Sequence, residues 1–193
     1  KDRVRPYGEP QYAYHDTTNH YHYRLVACGF EDIQSNERFV LNINHLRSKR
    51  GTGKESNAKR MTNVDSLLVM LHNIQENQIF HDTDILLVGD YNCYTQEQPI
   101  QTLIQNGYED LVMQYDSAGY SYVYHSEVGY LDRVFASPTM AKQVKMVRPY
   151  HLNTDYFYSR GFKRGLDKTI FRYADHDPIL ISIQLVPNHI HHD

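Results

Sequence analysis

Asp84-Ile85-Leu86-Leu87-Val88-Gly89-Asp90-Tyr91-Asn92 holds five consecutive residues without a polar side chain, Ile85 to Gly89, closed by an acid and an amide. A short continuous apolar run bounded in this way has the pattern of a strand covered on both faces, although periodicity alone does not separate it from a buried helix. Its β-branched content, its length and Gly89 favour the strand. Asp90 and Asn92 stand two apart, so an extended chain points them the same way. A buried strand that delivers a carboxylate and an amide to its C-terminal rim is a recurrent way of building a site in α/β proteins.

Upstream, Tyr21 to Phe30 is rich in β-branched and aromatic residues and reads as a strand. Arg38 to Leu46 alternates clearly: Phe39, Leu41, Ile43 and His45 share one face, and Val40, Asn42 and Asn44 the other. His45 therefore points with the apolar set. Residues 1–20, with Pro6, Gly8 and Pro10, read as an irregular connection. After Leu46 comes a basic, glycine-containing loop, and then Met61, Val64, Leu67, Leu68, Leu71 and Ile74 at spacings of three and four. That stripe predicts a helix packed on a sheet.

Downstream, Ile100, Leu103 and Ile104 mark a short helix, with Pro99 in its first turn and Gly107 as its stop. Tyr120–Tyr124 and Gly129–Ala136 read as the two strands of a hairpin. A strand around Val144–Val147 is followed by a long polar loop. The chain then enters a last alternating strand, Ile179 to Leu185, through Asp175-His176-Asp177-Pro178. Strands alternating with two amphipathic helices imply an α/β domain with a mixed sheet and outer helices. Residues 1–193 read as one domain, with 187–193 a loose tail.

Composition bounds the function. With 22% charged and 40% hydrophobic residues the chain is ordinary globular protein rather than disordered. A formal net charge of −3 argues against a bulk electrostatic nucleic-acid binder while allowing a local basic patch. No apolar run approaches the roughly 18 residues of a membrane span. Two cysteines, Cys28 and Cys93, are too few for a disulfide framework or a cysteine-rich zinc site, and both read as small buried hydrophobes.

One feature recurs four times. An apolar strand begins with, ends in or carries a group of catalytic type: His45, Asp90 with Asn92, Asp132, and Asp175 with His176. The bland alternative is a satisfied core histidine for His45 and a structural ion pair for Asp132, since an acid facing apolar neighbours needs a partner. Together they suggest convergence on one rim. Carboxylates, imidazoles and an amide in one place suit metal-assisted phosphoryl hydrolysis, in which a hard divalent cation takes carboxylate oxygens and polarises the phosphoryl group. From Arg47 to Arg60 six Lys/Arg residues stand against one acid, Glu55. Such a run is usually a solvated loop, and it is also suited to a phosphate backbone.

Asn42-Ile43-Asn44-His45-Leu46-Arg47-Ser48-Lys49, Gly89-Asp90-Tyr91-Asn92, Leu131-Asp132-Arg133-Val134-Phe135-Ala136-Ser137 and Asp175-His176-Asp177-Pro178, in this order, resemble the endonuclease/exonuclease/phosphatase superfamily. The bacterial extracellular nuclease branch is the nearest, and Tyr108-Glu109-Asp110-Leu111 and Tyr120-Ser121-Tyr122-Val123 fit it as well. The resemblance runs from about residue 21 to 186. It implies part of a four-layer α/β/β/α sandwich of the DNase I-like type, and a phosphodiester hydrolase, most simply a nuclease, with nucleic acid as substrate. Asp90 would position or activate the water, and Asn92 would hold the water or the phosphoryl group. His176 would work beside Asp132, and His45 would donate to a phosphoryl oxygen. The resemblance leaves open whether Asp90 or His176 is the base. Asp175 and Asp90 would hold Mg²⁺ or Mn²⁺, with Ca²⁺ also suited. Arg47, Lys49 and Arg50 would meet phosphate. An extracellular or envelope location is implied by resemblance only.

The chain departs from the family pattern in two places. The glutamate that serves as the family's principal metal ligand has no match, because neither Gln75-Glu76 nor Gln96-Glu97 ends an early strand. The family's early asparagine is also missing. Residue 1 thus aligns near the middle of the domain, and the chain corresponds to its C-terminal portion. Weak activity, and self-association or a missing N-terminal half over an exposed sheet face, are the expectations. A phosphatase or phospholipase-type esterase of the same superfamily is the nearest rival. A non-catalytic interaction module is the rival from another class.

Overall fold

The computed structural model describes residues 3–13, 25–49, 53–156 and 170–186. In chain order its elements are β1 (Val4–Ala13), β2 (Leu25–Asp32), β3 (Arg38–His45), α1 (Gly53–Glu76), β4 (Ile85–Asp90), α2 (Gln98–Gln105), β5 (Glu109–Asp110), α3 (Leu111–Tyr115), β6 (Tyr122–Tyr124), β7 (Glu127–Gly129), β8 (Asp132–Ala136), α4 (Pro138–Gln143), β9 (Val144–Pro149) and β10 (Ile179–Ile183). Six strands form one sheet in the order β1-β2-β3-β4-β8-β5. β3 and β4 are parallel and joined through α1, and the other pairs are antiparallel, so the sheet is mixed.

The unbroken apolar run of β4 reflects burial on both sides. Ile85 and Leu87 face a core made with Val64, Leu67, Leu71 and Ile74 of α1 and Ile100 and Leu103 of α2. Leu86 and Val88 face the opposite way, into a cluster with Phe39, Leu41, Val134 and the β10 residues Ile179, Ile181 and Ile183. β9 and β10 form a separate two-stranded sheet. The layers therefore run helix, six-stranded sheet, two-stranded sheet.

Three expectations change. The N-terminal stretch read as an irregular connection contains β1, an edge strand paired with β2. Its prolines are tolerated because an edge needs fewer backbone donors, and the register shifts between Tyr7 and Gln11, around Gly8 and Pro10. Arg5 pairs with Glu31 and Arg3 with Asp32, which fastens the strand. The expected hairpin is divided differently. β6 pairs with β7 through His125-Ser126, both at positive φ of 50° and 67°, as a two-residue hairpin turn requires, and β8 joins β4 in the large sheet. Finally, α1 begins at Gly53, so Lys54, Lys59 and Arg60 lie on a helix rather than a loop. The start of the expected strand at Tyr21, Arg50 and the tail from 187 lie outside the described residues.

On β3 the buried face is the one that looks polar. Val40, Asn42 and Asn44 are covered, with the Asn42 amide donating to the Val26 carbonyl and that of Asn44 to the Tyr91 hydroxyl at 2.8 Å. Ile43, on the apolar-looking face with His45, is 49% exposed. The two faces meet different partners: α1 and α2 on one side, and on the other a smaller cluster built by β9, β10, α3 and α4.

Gly89 fixes how β4 delivers Asp90. Its φ is +142°, and a Cβ there would come within 1.9 Å of the Asn44 carbonyl oxygen. Only glycine fits this approach of β4 to β3. Gly89→Ala should lower stability by about 2–4 kcal/mol, measured by urea denaturation. A wild-type midpoint would show that the strands can part without cost.

Candidate functional site

Register assembles the site. The β3–β4 ladder sets His45 beside Asp90, and the β4–β8 ladder sets Asp90 beside Asp132. All three share the sheet face of Leu41, Val88 and Val134, because side chains two apart point alike. His45 Nε2 lies 3.6 Å from Asp90 Oδ2. His176 arrives from far along the chain through a bridge with Tyr122, and its Nδ1 stands 2.8 Å from Asp132 Oδ2. The next residue explains the placement. Asp177 is buried, and its Oδ1 accepts from the backbone N–H groups of Leu152, Asn153 and Thr154, while Oδ2 meets His151 Nδ1 at 2.8 Å. That anchor ties the His176 segment to the turn after β9.

Asp90 is held in one orientation. Its Oδ1 accepts from the Asn92 backbone N–H and its Oδ2 from the Asn92 amide, each at 2.8 Å. Asn92 adopts a φ of +50°, a left-handed conformation that asparagine tolerates well. Its remaining amide proton goes to the Leu46 carbonyl at 3.2 Å. Burial raises the Asp90 pKa, and the Asp132 charge adds to it against the hydrogen bond from Asn92 and the nearby His176 and His45. For His176, burial works against the cation. The hydrogen bond and charge of Asp132, with Asp90 and Asp175 behind them, outweigh it and raise the imidazole pKa. Donation from Nδ1 to Asp132 leaves Nε2 as the other face of the ring.

The sequence reading did not single out Ser121. Its buried hydroxyl donates to Asp132 Oδ2 at 2.7 Å. It also missed an aromatic wall. Around the polar row lies an open cleft of about 830 Å³, lined in addition by Arg47, Lys49, Tyr94, Tyr122, Tyr124 and the exposed Asp175. The Tyr122 ring centroid is 4.6 Å from that of His176 and 6.3 Å from that of Tyr124. Alternation in Tyr122-Val123-Tyr124 was the available signal, since it puts both rings on one face of a short strand. Lys49 reaches over the Tyr94 ring at 4.7 Å and pairs with Glu97. Arg47 and Lys49 thus border the cleft, and Arg50 lies outside the described residues.

Asp90, Asp132 and His176 bring one ligand atom each within 4.8 Å of one another. The two carboxylates of this set fit a divalent cation, while the imidazole, with Nδ1 given to Asp132, stands beside them rather than among the ligands. Two carboxylates meet across one rung, one of them with a raised pKa, and a cation would relieve what burial and like charge impose. A second acidic group, Glu37, Asp82 and Asp84, lies before the opposite end of β4.

No family model matches the sequence, and no curated protein matches it. Solved structures do. An endonuclease/exonuclease/phosphatase family protein from Bacteroides thetaiotaomicron superimposes with a TM-score of 0.64 at 17% identity, covering 100% of this chain and 68% of the other. The chain has the endonuclease/exonuclease/phosphatase fold. A mannosyl-6-phosphatase from the same organism matches with a TM-score of 0.63 at 16% identity, over 95% of this chain and 68% of its own. A 3'-5' exonuclease from Neisseria meningitidis gives 0.58 at 16%, over 93% and 72%. Within the DNase I-like fold, the row from His45 to Asp132 sits at the rim of the six-stranded sheet.

Asp132→Asn should lower the His176 pKa, because both the hydrogen bond to a carboxylate and its charge are lost. NMR titration of the imidazole in the metal-free protein measures this. An unchanged titration would show that Asp132 does not hold the cation.

Proposed function

We propose that the chain is a divalent-metal-dependent phosphodiester hydrolase acting on nucleic acid. The observation that carries this reading is the half-buried Asp90–Asp132 pair with an imidazole on each side. Asp90 and Asp132 would hold Mg²⁺ or Mn²⁺, with Asp175 on the wall of the same cleft, and such an ion polarises a phosphoryl group and stabilises a leaving oxygen when bound.

The chain's own residues have distinct tasks. Asp90, fixed by Asn92, acts as its ionised carboxylate, which burial and the Asp132 charge make a stronger base, and takes a proton from the attacking water. His176, whose cation Asp132 favours, presents Nε2 to a phosphoryl oxygen. His45 donates from the other side. Both amide protons of Asn92 are committed to Asp90 and Leu46, so Asn92 serves as a positioning residue. Arg47 and Lys49 meet the substrate phosphate at the rim of the cleft. Hydrolysis by this chain is slow, because no glutamate among the described residues lines the cleft to complete a carboxylate cage.

The phosphatase reading has one observation of its own: an aromatic wall accepts a sugar ring as well as a base. Nicking of supercoiled plasmid in millimolar Mg²⁺ separates the two. Slow nicking, abolished by EDTA and reduced by roughly a thousandfold or more in Asp90→Ala and His176→Ala, is expected. Inert plasmid together with turnover of a sugar monophosphate would overturn the nuclease reading. Turnover untouched by EDTA would overturn metal dependence.

A further inference from the structure

His45, Asp90 and Asp132 take their places from sheet register, whereas His176 does not. Residues 174–177 belong to none of the ten strands. Their main chain is nonetheless held from two sides. On one side His176 bridges to Tyr122, and the Asp177 N–H donates to the Ser121 carbonyl at 2.8 Å. On the other side stands Asn153, 6% exposed, in the turn after β9.

The Asn153 side chain acts on this segment as a neighbouring strand would. Its Nδ2 donates to the His176 carbonyl at 2.7 Å, and its Oδ1 accepts from the Ala174 N–H at 3.2 Å. Backbone groups of an extended chain alternate between its two edges, so Asp177 faces Ser121 while Ala174 and His176 face Asn153. One amide thus completes the second edge of a segment that no strand flanks. Asn153 is itself fixed. Its N–H donates to Asp177 Oδ1 at 2.7 Å, and its carbonyl accepts from the Arg172 guanidinium at 2.9 Å.

The turn is fastened without this amide. Asp177 Oδ1 already accepts from the N–H groups of Leu152, Asn153 and Thr154. What the amide adds is a grip on the residue that carries the imidazole. That ring has one narrow task, to keep Nδ1 at 2.8 Å from Asp132 Oδ2. A displacement of about 1 Å would break the contact and turn Nε2 away from the cleft.

We propose that Asn153 is a positioning residue for His176, which holds its main chain so that Nδ1 meets Asp132 and Nε2 faces the phosphoryl group. The proposal rests on the hydrolase reading and adds to it a residue that does not border the cleft and stands 23 positions from the imidazole it serves.

The test is Asn153→Leu, which keeps the side-chain volume and removes both hydrogen bonds. Ser137→Ala is its structural match, because it also deletes a buried hydrogen-bonding group, one that accepts from the Ile85 N–H at 3.0 Å at the far end of β4. NMR relaxation of the His176 ring carbon in the metal-free protein, its signal identified by its loss in His176→Ala, reads the geometry without turnover. A ring as rigid as the backbone is expected in the wild type and in Ser137→Ala, and a mobile ring in Asn153→Leu. Nicking rates in Mg²⁺ at varied plasmid concentration are expected to show kcat lower by about tenfold to a hundredfold in Asn153→Leu, with KM unchanged. Ser137→Ala should keep both constants. A rigid ring or a wild-type kcat in folded Asn153→Leu would overturn the proposal, as would an equal loss in Ser137→Ala or a freely moving ring in the wild type. If Asn153→Leu does not fold, the Ala174 amide of the wild type decides: slow hydrogen exchange supports the grip, and exchange at the rate of an open chain overturns it. If the wild type nicks nothing, the hydrolase reading falls and the ring alone decides, a ring loosened in Asn153→Leu keeping Asn153 in its positioning role.

Discussion

Two carboxylates opposite one another on neighbouring strands are the constraint around which this molecule is arranged. Asp90 and Asp132 occupy the last antiparallel rung between β4 and β8. Like charges directly across a ladder repel, and partial burial sharpens the repulsion. Everything that touches the pair answers it. Asn92 supplies two hydrogen bonds to Asp90, Ser121 and His176 supply one each to Asp132, and His45 stands at the open side. Such a rung is an expensive feature unless it meets a cation or a proton in transit.

The strand period keeps that charge available. Arg133 follows Asp132 directly, and a lesser geometry would have let the two neutralise one another. Alternation sends Arg133 to the other face, where it is 1% exposed and bound to Asp110 at 2.9 Å, Thr95 at 2.7 Å and the Tyr130 carbonyl. Asp132 is left to the imidazole. One strand thus serves a buried ion pair on its helix side and the Asp132–His176 pair on its cleft side. The same division holds on β3, where Asn44 binds Tyr91 beneath the sheet while His45 projects above it.

Much of this was legible in the chain. The β4 run, the α1 stripe and the alternation of β3 and β10 are strong because each element buries a defined face, and burial writes a period into sequence. The polar row followed from strand ends and from the resemblance. What escaped had weak local signal. β1 is an edge strand held by Arg3 and Arg5 rather than by an apolar face, so it read as a connection. The β6–β7 hairpin was hidden because His125-Ser126 is an unusual pair for a turn that demands positive φ. Ser121 and Asp177 are ordinary polar residues whose importance comes only from partners distant in sequence.

The ladder that Gly89 allows between β4 and β3 makes the polar row frame-sensitive. Three of the polar groups are positioned by counting along paired strands rather than by the shape of any loop. A single inserted residue in β4 or β8 would turn a carboxylate toward the helices. The tyrosine hairpin meets that row only at its base, where Tyr122 bridges to His176, and its outer part with Tyr124 lies outside the ladder. The polar row and the outer rim of the cleft therefore sit on parts of the molecule with very different tolerance to change.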